Sequence, residues 1–283
     1  MIRAATLALT LVAAGCASQA ADRQTDAGHD AGSAQRPRVV SINPCVDAVL
    51  MQVADPAQIA AISHYSQDPR ATSIPLDQAM RFAATSGTAE EVVAGAPDIV
   101  IAGAHVAPAT IAALRRMNIR LVQVGVPESI AESQAQIRTI AAAIRQPERG
   151  EALARRIDAA VRAASAKPGA APAALVWQGG GLVPGEGTLA DELLQRTGFR
   201  NLSAAYGLKR WDVLPLEHLV ARPPEVLLSV STEDSSDRML RHPVLAGLGK
   251  AIAVRPYPER LLHCGGPTII DAVRHLAQVR RSL

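Results

Sequence analysis

The chain has 283 residues, of which 48% are hydrophobic and 2% are aromatic, and its formal net charge at pH 7 is +3. Because Lys and Arg are spread along the chain and form no basic stripe, the charge pattern argues against a nucleic-acid partner. The three cysteines, Cys16, Cys45 and Cys264, are too few for a cysteine-rich scaffold or a four-cysteine zinc site.

Residues 1–16 are predicted to be a signal peptide. A short basic lead precedes an apolar run over residues 4–14, which is too short for a permanent membrane span but suits a secretory signal. Small residues stand directly before Cys16, which resembles a bacterial lipobox and implies lipidation of Cys16, although Ala13 occupies the usual leucine position. The alternative is ordinary cleavage near Ala20, which leaves a free periplasmic protein.

Residues 17–37 are predicted to be a flexible tether. The segment is rich in Ala, Gly, Gln, Asp and Ser and has no apolar periodicity, so it cannot bury enough surface to fold. The remaining chain, roughly 245 residues, is long enough for one large domain or two lobes.

Residues 38–126 are predicted to form an N-terminal α/β lobe. Short apolar strands at 38–42, 59–63, 99–102 and 120–124 alternate with helices around 48–51 and 110–117. This rhythm favours a parallel sheet that is covered on both faces.

Residues 127–168 are predicted to be connecting helices. Ile130, Ile137, Ile140 and Ile144 keep helical spacing, and a second helix of about twenty residues is expected to begin at Pro147. Residues 169–283 then repeat the α/β rhythm as a C-terminal lobe. Its predicted strands are 173–177, 225–230 and 251–254, and its predicted helices are 189–196 and 268–280.

One pattern occurs twice, about 127 residues apart: a glutamate seven residues before a proline, followed by a buried strand. Glu90 precedes Pro97 in the first copy and Glu217 precedes Pro224 in the second. Each copy predicts a short helix that begins at an acid and ends before proline. Acidic residues favour helix N-termini in general, so either glutamate alone carries little weight. Their matched positions suggest a shared role on two similar lobes.

The order of these features resembles the periplasmic binding proteins of metal-chelate importers. The resemblance covers residues 38–283, and its marks are the two glutamate–proline–strand units together with residues 38–44, 185–189 and 197–201. It implies an α/β fold of two lobes with mainly parallel sheets, joined by a single long helix as in class III binding proteins. It also implies that Glu90 and Glu217 dock onto an ABC permease dimer in the inner membrane, with Glu91 as the alternative to Glu90. Charges on both lobes fix orientation more than they add affinity.

The ligand is expected between the lobes, near the carboxyl ends of the strands. The predicted ligand-binding residues lie on loops at these positions: Asn43, Cys45, Asp47, His64, Tyr65, Gln178, Trp211, Arg260, His263 and Cys264.

Each prominent candidate also has a structural interpretation. Trp211 stands among charged neighbours, an unusual place for a core residue, so ligand stacking is favoured; Trp177 lies within a strand and is expected in the core. His64 and Tyr65 could coordinate or stack on a flat macrocycle, or belong to an ordinary loop. Arg260 could bind a ligand carboxylate in bidentate fashion, or be solvated.

Cys45 and Cys264 are expected on cleft-facing loops, one from each lobe, in an oxidising compartment. Three interpretations stay open: a disulfide, two inert buried thiols, or soft ligands for a bound metal. Sequence spacing does not choose among them.

The predicted cargo is a metal chelate, a corrinoid or an iron-siderophore, with a lean to corrinoid through Trp211; haem and a free zinc or manganese ion are the alternatives. Few aromatic residues are present, and residues 85–87 occupy the stretch before Glu90 where the cobalamin receptor has a tryptophan. Neither a Gly-x-Ser-x-Gly elbow nor a phosphate-binding loop occurs, so a secreted α/β enzyme is the less favoured alternative and no catalytic residue is predicted. No cofactor or resident metal is predicted either.

Overall fold

A computed structural model describes residues 36–166, 169–230 and 252–283, which belong to one compact unit. The predicted signal peptide, the lipidation of Cys16 and almost all of the predicted tether lie outside these residues and stay predictions. No helix in the described ranges combines the length and the apolar character needed to cross a bilayer.

The first lobe contains a five-stranded parallel sheet in the order β3-β2-β1-β4-β5. Its elements are β1 (Val39–Ser41), α1 (Pro44–Val53), β2 (Ile59–Ser63), α2 (Leu76–Ala79), β3 (Ala84–Thr85), α3 (Ala89–Ala94), β4 (Ile99–Ala102), α4 (Pro108–Arg116) and β5 (Arg120–Gln123). The central strands are buried on both faces, as their uninterrupted apolar sequences predict.

Two helices connect the lobes: α5 (Ile130–Ala143) and α6 (Pro147–Ala164). Ser129 caps α5 by accepting a hydrogen bond from the Glu132 amide, and Pro147 stands in the first turn of α6. The predicted isoleucine stripe is buried. At about 1.5 Å per residue, the 18 residues of α6 span roughly 27 Å, so α6 is the long helix of the connector.

The second lobe contains a four-stranded parallel sheet in the order β11-β10-β6-β8 and an antiparallel pair of β7 with β9. Its elements are β6 (Ala173–Trp177), β7 (Leu182–Pro184), α7 (Leu189–Arg196), β8 (Arg200–Asn201), β9 (Trp211–Val213), α8 (Leu216–Ala221), β10 (Val226–Ser229), β11 (Ala253–Pro256) and α9 (Thr268–Arg281). The described chain therefore has the predicted α/β class: two mainly parallel sheets on either side of a helical connector. The residue boundaries of the lobes stay predictions.

One hydrophobic cluster runs from the first sheet through both connecting helices into the second lobe. It includes Leu50 of α1, Ile140 of α5, Ile157 of α6 and Val273 of α9. Because the core is continuous across the connector, the connector is packed against both lobes and is not a free linker. Trp177 is fully buried in a second cluster, as expected.

Candidate ligand-binding site

A cavity of about 480 Å³ lies between loops of the two lobes. The first lobe contributes the segments that follow β1 and β5, and the second contributes the start of α7, the start of β9 and the loop before α9. Several of these segments follow the carboxyl ends of parallel strands, where α/β proteins bind ligands. The cavity occupies the region in which the sequence predicts the ligand.

Cys45 and Cys264 form a disulfide in the cavity wall, with their Cα atoms 5.2 Å apart. Cys45 lies in the first turn of α1 and Cys264 lies in the loop before α9, so the bond joins the two lobes directly. Of the three interpretations left open by the sequence, the structure selects the disulfide. In this state the sulfur atoms are not thiolate ligands for a metal.

Asn43 lines the cavity and also begins α1. Its side-chain oxygen accepts hydrogen bonds from the amides of Cys45 (2.9 Å) and Val46 (3.1 Å), so it caps the helix. A Cβ at Gly103 would lie 2.6 Å from the Asn43 amide nitrogen, so only glycine leaves room there for this side chain. The Asn43 oxygen is thus committed to the fold, and its amide NH₂ group is the part available for other contacts.

Thr188 and Leu189 also line the cavity, at the point where residues 185–189 form the N-terminal cap of α7. Thr188 accepts a hydrogen bond from the Asp191 amide, and its hydroxyl donates to the Gly185 carbonyl 2.9 Å away. In return, the Asp191 carboxylate accepts a hydrogen bond from the Gly187 amide, where the backbone has a positive φ of 80°. This motif, one of the marks of the family resemblance, fixes where α7 begins beside the cavity.

Trp211 opens β9 and lines the cavity with 42% of its surface exposed, whereas Tyr257 on the other side is almost fully buried. Burial raises the pKa of the Tyr257 phenol above its usual value, so this ring presents a neutral face. Leucine, valine and proline side chains fill much of the remaining wall. The cavity is therefore predominantly apolar, with two aromatic rings in its lining.

Charged and titratable groups are few in this cavity. Arg210 of the second lobe pairs with Glu128, the residue two before α5, with 2.7 Å between the guanidinium nitrogen and the carboxylate oxygen. His263 also lines the wall, and its Nε2 lies 3.6 Å from the Glu259 carboxylate. A single imidazole in a mostly apolar wall is suited to contact one polar or metal centre of a bound molecule.

A family model described as periplasmic binding protein matches residues 39–255, more than three quarters of the chain. The chain belongs to the periplasmic binding protein family. This result confirms the family that the sequence motifs indicated. No curated protein sequence matches the chain.

Several solved structures share the fold of this binding protein. The haem-binding protein RhuT from Roseiflexus sp. RS-1 is 24% identical, with 86% of this chain and 97% of RhuT covered and a TM-score of 0.69. HutB of Vibrio cholerae, a haem-binding protein, is 17% identical, with 86% of this chain and 98% of HutB covered and a TM-score of 0.72. The vitamin B12 binding protein BtuF of Vibrio cholerae is 16% identical, with 87% of this chain and 98% of BtuF covered and a TM-score of 0.65.

The structure brings five of the ten predicted ligand-binding residues to the cavity of this binding protein: Asn43, Cys45, Trp211, His263 and Cys264. It places the others elsewhere. Asp47 is fully buried and accepts hydrogen bonds from Ser63 and Ser66. Gln178 does not line the cavity; its backbone N–H donates a hydrogen bond to the Leu182 carbonyl in the turn that leads to β7.

His64 and Tyr65 lie in a short 3₁₀ turn after β2 and do not line the cavity. Their ring centroids are 4.0 Å apart, and His64 Nδ1 lies 3.2 Å from the Thr85 carbonyl oxygen. Arg260 lines a different cavity of about 360 Å³ between α1 and the start of α9, where its guanidinium nitrogen lies 3.6 Å from the Asp271 carboxylate oxygen. The loops carrying these residues are where the sequence predicts them, but their side chains take local partners.

The two predicted docking glutamates occupy equivalent positions. Glu90 lies nine residues before the first residue of β4, and Glu217 lies nine residues before the first residue of β10. Both are exposed, and within the described residues neither carboxylate accepts a hydrogen bond or forms an ion pair. Glu91 differs, because its carboxylate accepts hydrogen bonds from Ser86 and Thr85, which lower its pKa. The local geometry therefore distinguishes Glu90 from its neighbour.

Sequence reasoning missed the polar residues Glu128, Gln136, Thr188, Arg210 and Tyr257 in the cavity lining. The available signals were the position of Glu128 just after β5 and the charged run around Trp211. Both were present, but pairing Glu128 with Arg210 requires the three-dimensional arrangement. Within the described residues, no cluster of three or more His, Cys, Asp or Glu side chains could hold a metal ion.

Proposed function

We propose that this periplasmic binding protein captures a metal–tetrapyrrole chelate, haem or a corrinoid, and delivers it to an ABC permease in the inner membrane. The observation that carries the proposal is the predominantly apolar cavity between the lobes, with Trp211 and His263 in its wall. A tetrapyrrole offers a flat apolar face to an aromatic ring and a metal to an imidazole. Relatives of the same fold bind haem or vitamin B12, which supports this cargo class.

The size and character of the cavity support a small-molecule cargo. Its volume of about 480 Å³ falls within the range of roughly 300–1,000 Å³ that is typical of ligand sites. Apolar walls provide most of the stabilisation on binding, and a few polar groups fix orientation. A chelate larger than the cavity would be held with one edge in solvent, near the exposed face of Trp211.

The direct test is to titrate the purified mature protein with haemin, cyanocobalamin and a ferric hydroxamate, and to measure binding by calorimetry and by tryptophan fluorescence. Saturable binding of one tetrapyrrole at micromolar or lower concentration is expected. The fluorescence change should come from Trp211, because Trp211 lies in the cavity and Trp177 is buried elsewhere. Trp211→Ala should weaken binding by at least tenfold, about 1.4 kcal/mol. Val213→Ala changes an exposed residue of the same strand outside the cavity and serves as the control.

Binding of the hydroxamate alone would contradict the tetrapyrrole assignment and point to a siderophore receptor. Absence of binding to all three chelates, in a protein that unfolds cooperatively, would contradict the proposed cargo. Turnover of any bound compound would contradict the assignment as a receptor.

Delivery is proposed to depend on Glu90 and Glu217. Each carboxylate is exposed on an equivalent short helix and lacks a partner within the described residues, so each is available to basic residues of a permease. Glu90→Gln and Glu217→Gln should leave cargo affinity unchanged and reduce cargo-stimulated ATPase activity of the cognate transporter in vesicles. Glu91→Gln is the matched control, because that carboxylate is occupied by Ser86 and Thr85. Equal effects of all three substitutions would contradict a docking role.

A further inference from the structure

Arg210 adopts a backbone conformation that a non-glycine residue rarely takes. Its φ is +57°, in the left-handed region, which costs an arginine roughly 1–2 kcal/mol. The conformation is held from both sides, since the Arg210 amide donates to the Glu186 carbonyl and its carbonyl accepts from the Gly185 amide. A Cβ at Gly185 would lie 2.5 Å from the Arg210 oxygen, so the contact also requires glycine at that position. Strain of this kind persists only where the surrounding structure holds it in place, and it is frequent at ligand sites.

The Arg210 side chain is aimed across the cavity from the second lobe. Its guanidinium lies 2.7 Å from the Glu128 carboxylate, and both residues line the cavity beside Trp211. The side chains are 75% and 41% exposed, so the pair is solvated and contributes little to stability. An arginine held in a strained conformation for a weak ion pair is poorly explained by stability alone. A carboxylate that entered the cavity could replace Glu128 and bind the guanidinium through two parallel hydrogen bonds.

We propose that Arg210 and Glu128 together select cargo that carries a carboxylate or similar anionic group. Arg210 provides the binding group. Before cargo binds, the Glu128 carboxylate pairs with the Arg210 guanidinium. The Glu128 carboxylate also repels an incoming anion that does not fully displace it from Arg210. A neutral chelate gains nothing from Arg210 and leaves the ion pair intact. The inference rests on the proposed tetrapyrrole function and narrows it to anionic members of that class, those with free carboxylates at the edge of the macrocycle.

The test compares haemin with haemin dimethyl ester, which has the same macrocycle and metal but no carboxylates. Wild-type protein should bind haemin at least tenfold more tightly than the ester. Arg210→Gly removes the guanidinium and suits the left-handed backbone, so it should abolish this preference while the melting temperature stays equal or rises. Glu128→Gln keeps the shape of the side chain and the hydrogen bond that the backbone amide of residue 128 donates to the Glu132 carboxylate, and it should strengthen haemin binding severalfold. Under either substitution, the affinity for haemin should change far more than the affinity for the ester.

Equal affinities of the wild-type protein for haemin and the ester would overturn the charge selection and leave the tetrapyrrole assignment standing. The same conclusion follows if Arg210→Gly weakens both ligands equally, or if Glu128→Gln weakens haemin. If neither compound binds to the wild-type protein, the proposed function fails, and this inference fails with it.

Discussion

Asp47, in the first turn of α1, carries a carboxyl group that has no access to solvent. Burial raises its pKa from 3.8 to about 7, because the charged form loses its hydration, and hydrogen bonds from Ser66 and Ser63 oppose the shift only in part. These bonds tie α1 to the turn after β2 that carries His64 and Tyr65. The sequence predicted that Asp47 faces the cleft, whereas the structure shows it buried and hydrogen-bonded within the first lobe. A short polar side chain near the N-terminus of a helix suits either role, so the distinction depends on which way the side chain points.

Asp47 should make stability depend on pH. The native carboxyl binds its proton more tightly than the unfolded one, so its contribution is most favourable below about pH 4 and declines as the pH rises to about 7. Asp47→Asn removes this titration. Relative to wild type, the variant should therefore gain about 2–3 kcal/mol in free energy of unfolding between pH 5 and pH 8. Urea unfolding at both pH values measures this difference.

The control for Asp47 is Asp77→Asn, which changes an exposed carboxyl group in α2. The change in its difference from wild type between the two pH values is the baseline. If the Asp47→Asn difference changes no more than this baseline, Asp47 does not titrate in this range.

Among the elements, α5 and α6 show how closely the connector is packed. Gly150, in the first turns of α6, is buried against α5, where a Cβ would lie 2.5 Å from the Cβ of Ala141. Two helices approach this closely only where small residues meet. The isoleucine spacing and Pro147 predicted both helices, and their bounds are within about two residues of the prediction. The contact between them was not predictable, because helical periodicity identifies a buried face but not the residue on the partner helix.

Gly150→Ala should destabilise the protein by about 1–3 kcal/mol through overpacking, even though alanine is the better helix former by about 1 kcal/mol. Ala141→Gly opens the space that the added methyl group needs. The double variant should therefore lose less free energy of unfolding than the two single variants lose together. Chemical denaturation of all four proteins completes the cycle, and strict additivity would show that the two positions do not contact.

For the whole molecule, the central fact is that a disulfide joins the two lobes directly and that hydrogen bonds hold the second lobe against the connector. The disulfide links α1 to the loop before α9, and the Glu192 carboxylate of α7 accepts a hydrogen bond from the Ile130 amide of α5. On the same side, Ser133 accepts a hydrogen bond from the Gly266 amide. These links favour a cavity that is largely formed before cargo arrives. Such preorganisation reduces the free-energy cost of binding.

The disulfide gives a direct prediction at this scale. Residues 36–283 contain two cysteines, and both are in the bond, so alkylation should add no label before reduction and two labels after it. Breaking the bond should lower the free energy of unfolding by about 2–4 kcal/mol. The double variant Cys45→Ser, Cys264→Ser is the control, since a reductant should not destabilise it further. Labelling of the untreated protein, or an equal effect of reductant on the control, would contradict the bond.

The sequence by itself determined the elements and the family. Apolar runs, helical spacing and proline positions are local properties, and they predicted the main strands and helices, the α/β class and the matched positions of Glu90 and Glu217. Two- and three-residue strands such as β3, β7 and β9 were missed, because so few residues show no periodicity.

The tertiary structure decided which side chains meet. Cys45 and Cys264 form the bond that the sequence spacing did not decide. The Asp47 side chain lies in the core, and Arg260 lines a second cavity. The tertiary structure also brought Arg210 to Glu128, 82 residues apart in the chain. The physical reason is the same in each case. A loop position follows from local sequence, whereas the partner of a side chain depends on the packing of distant elements and on the direction in which that side chain points.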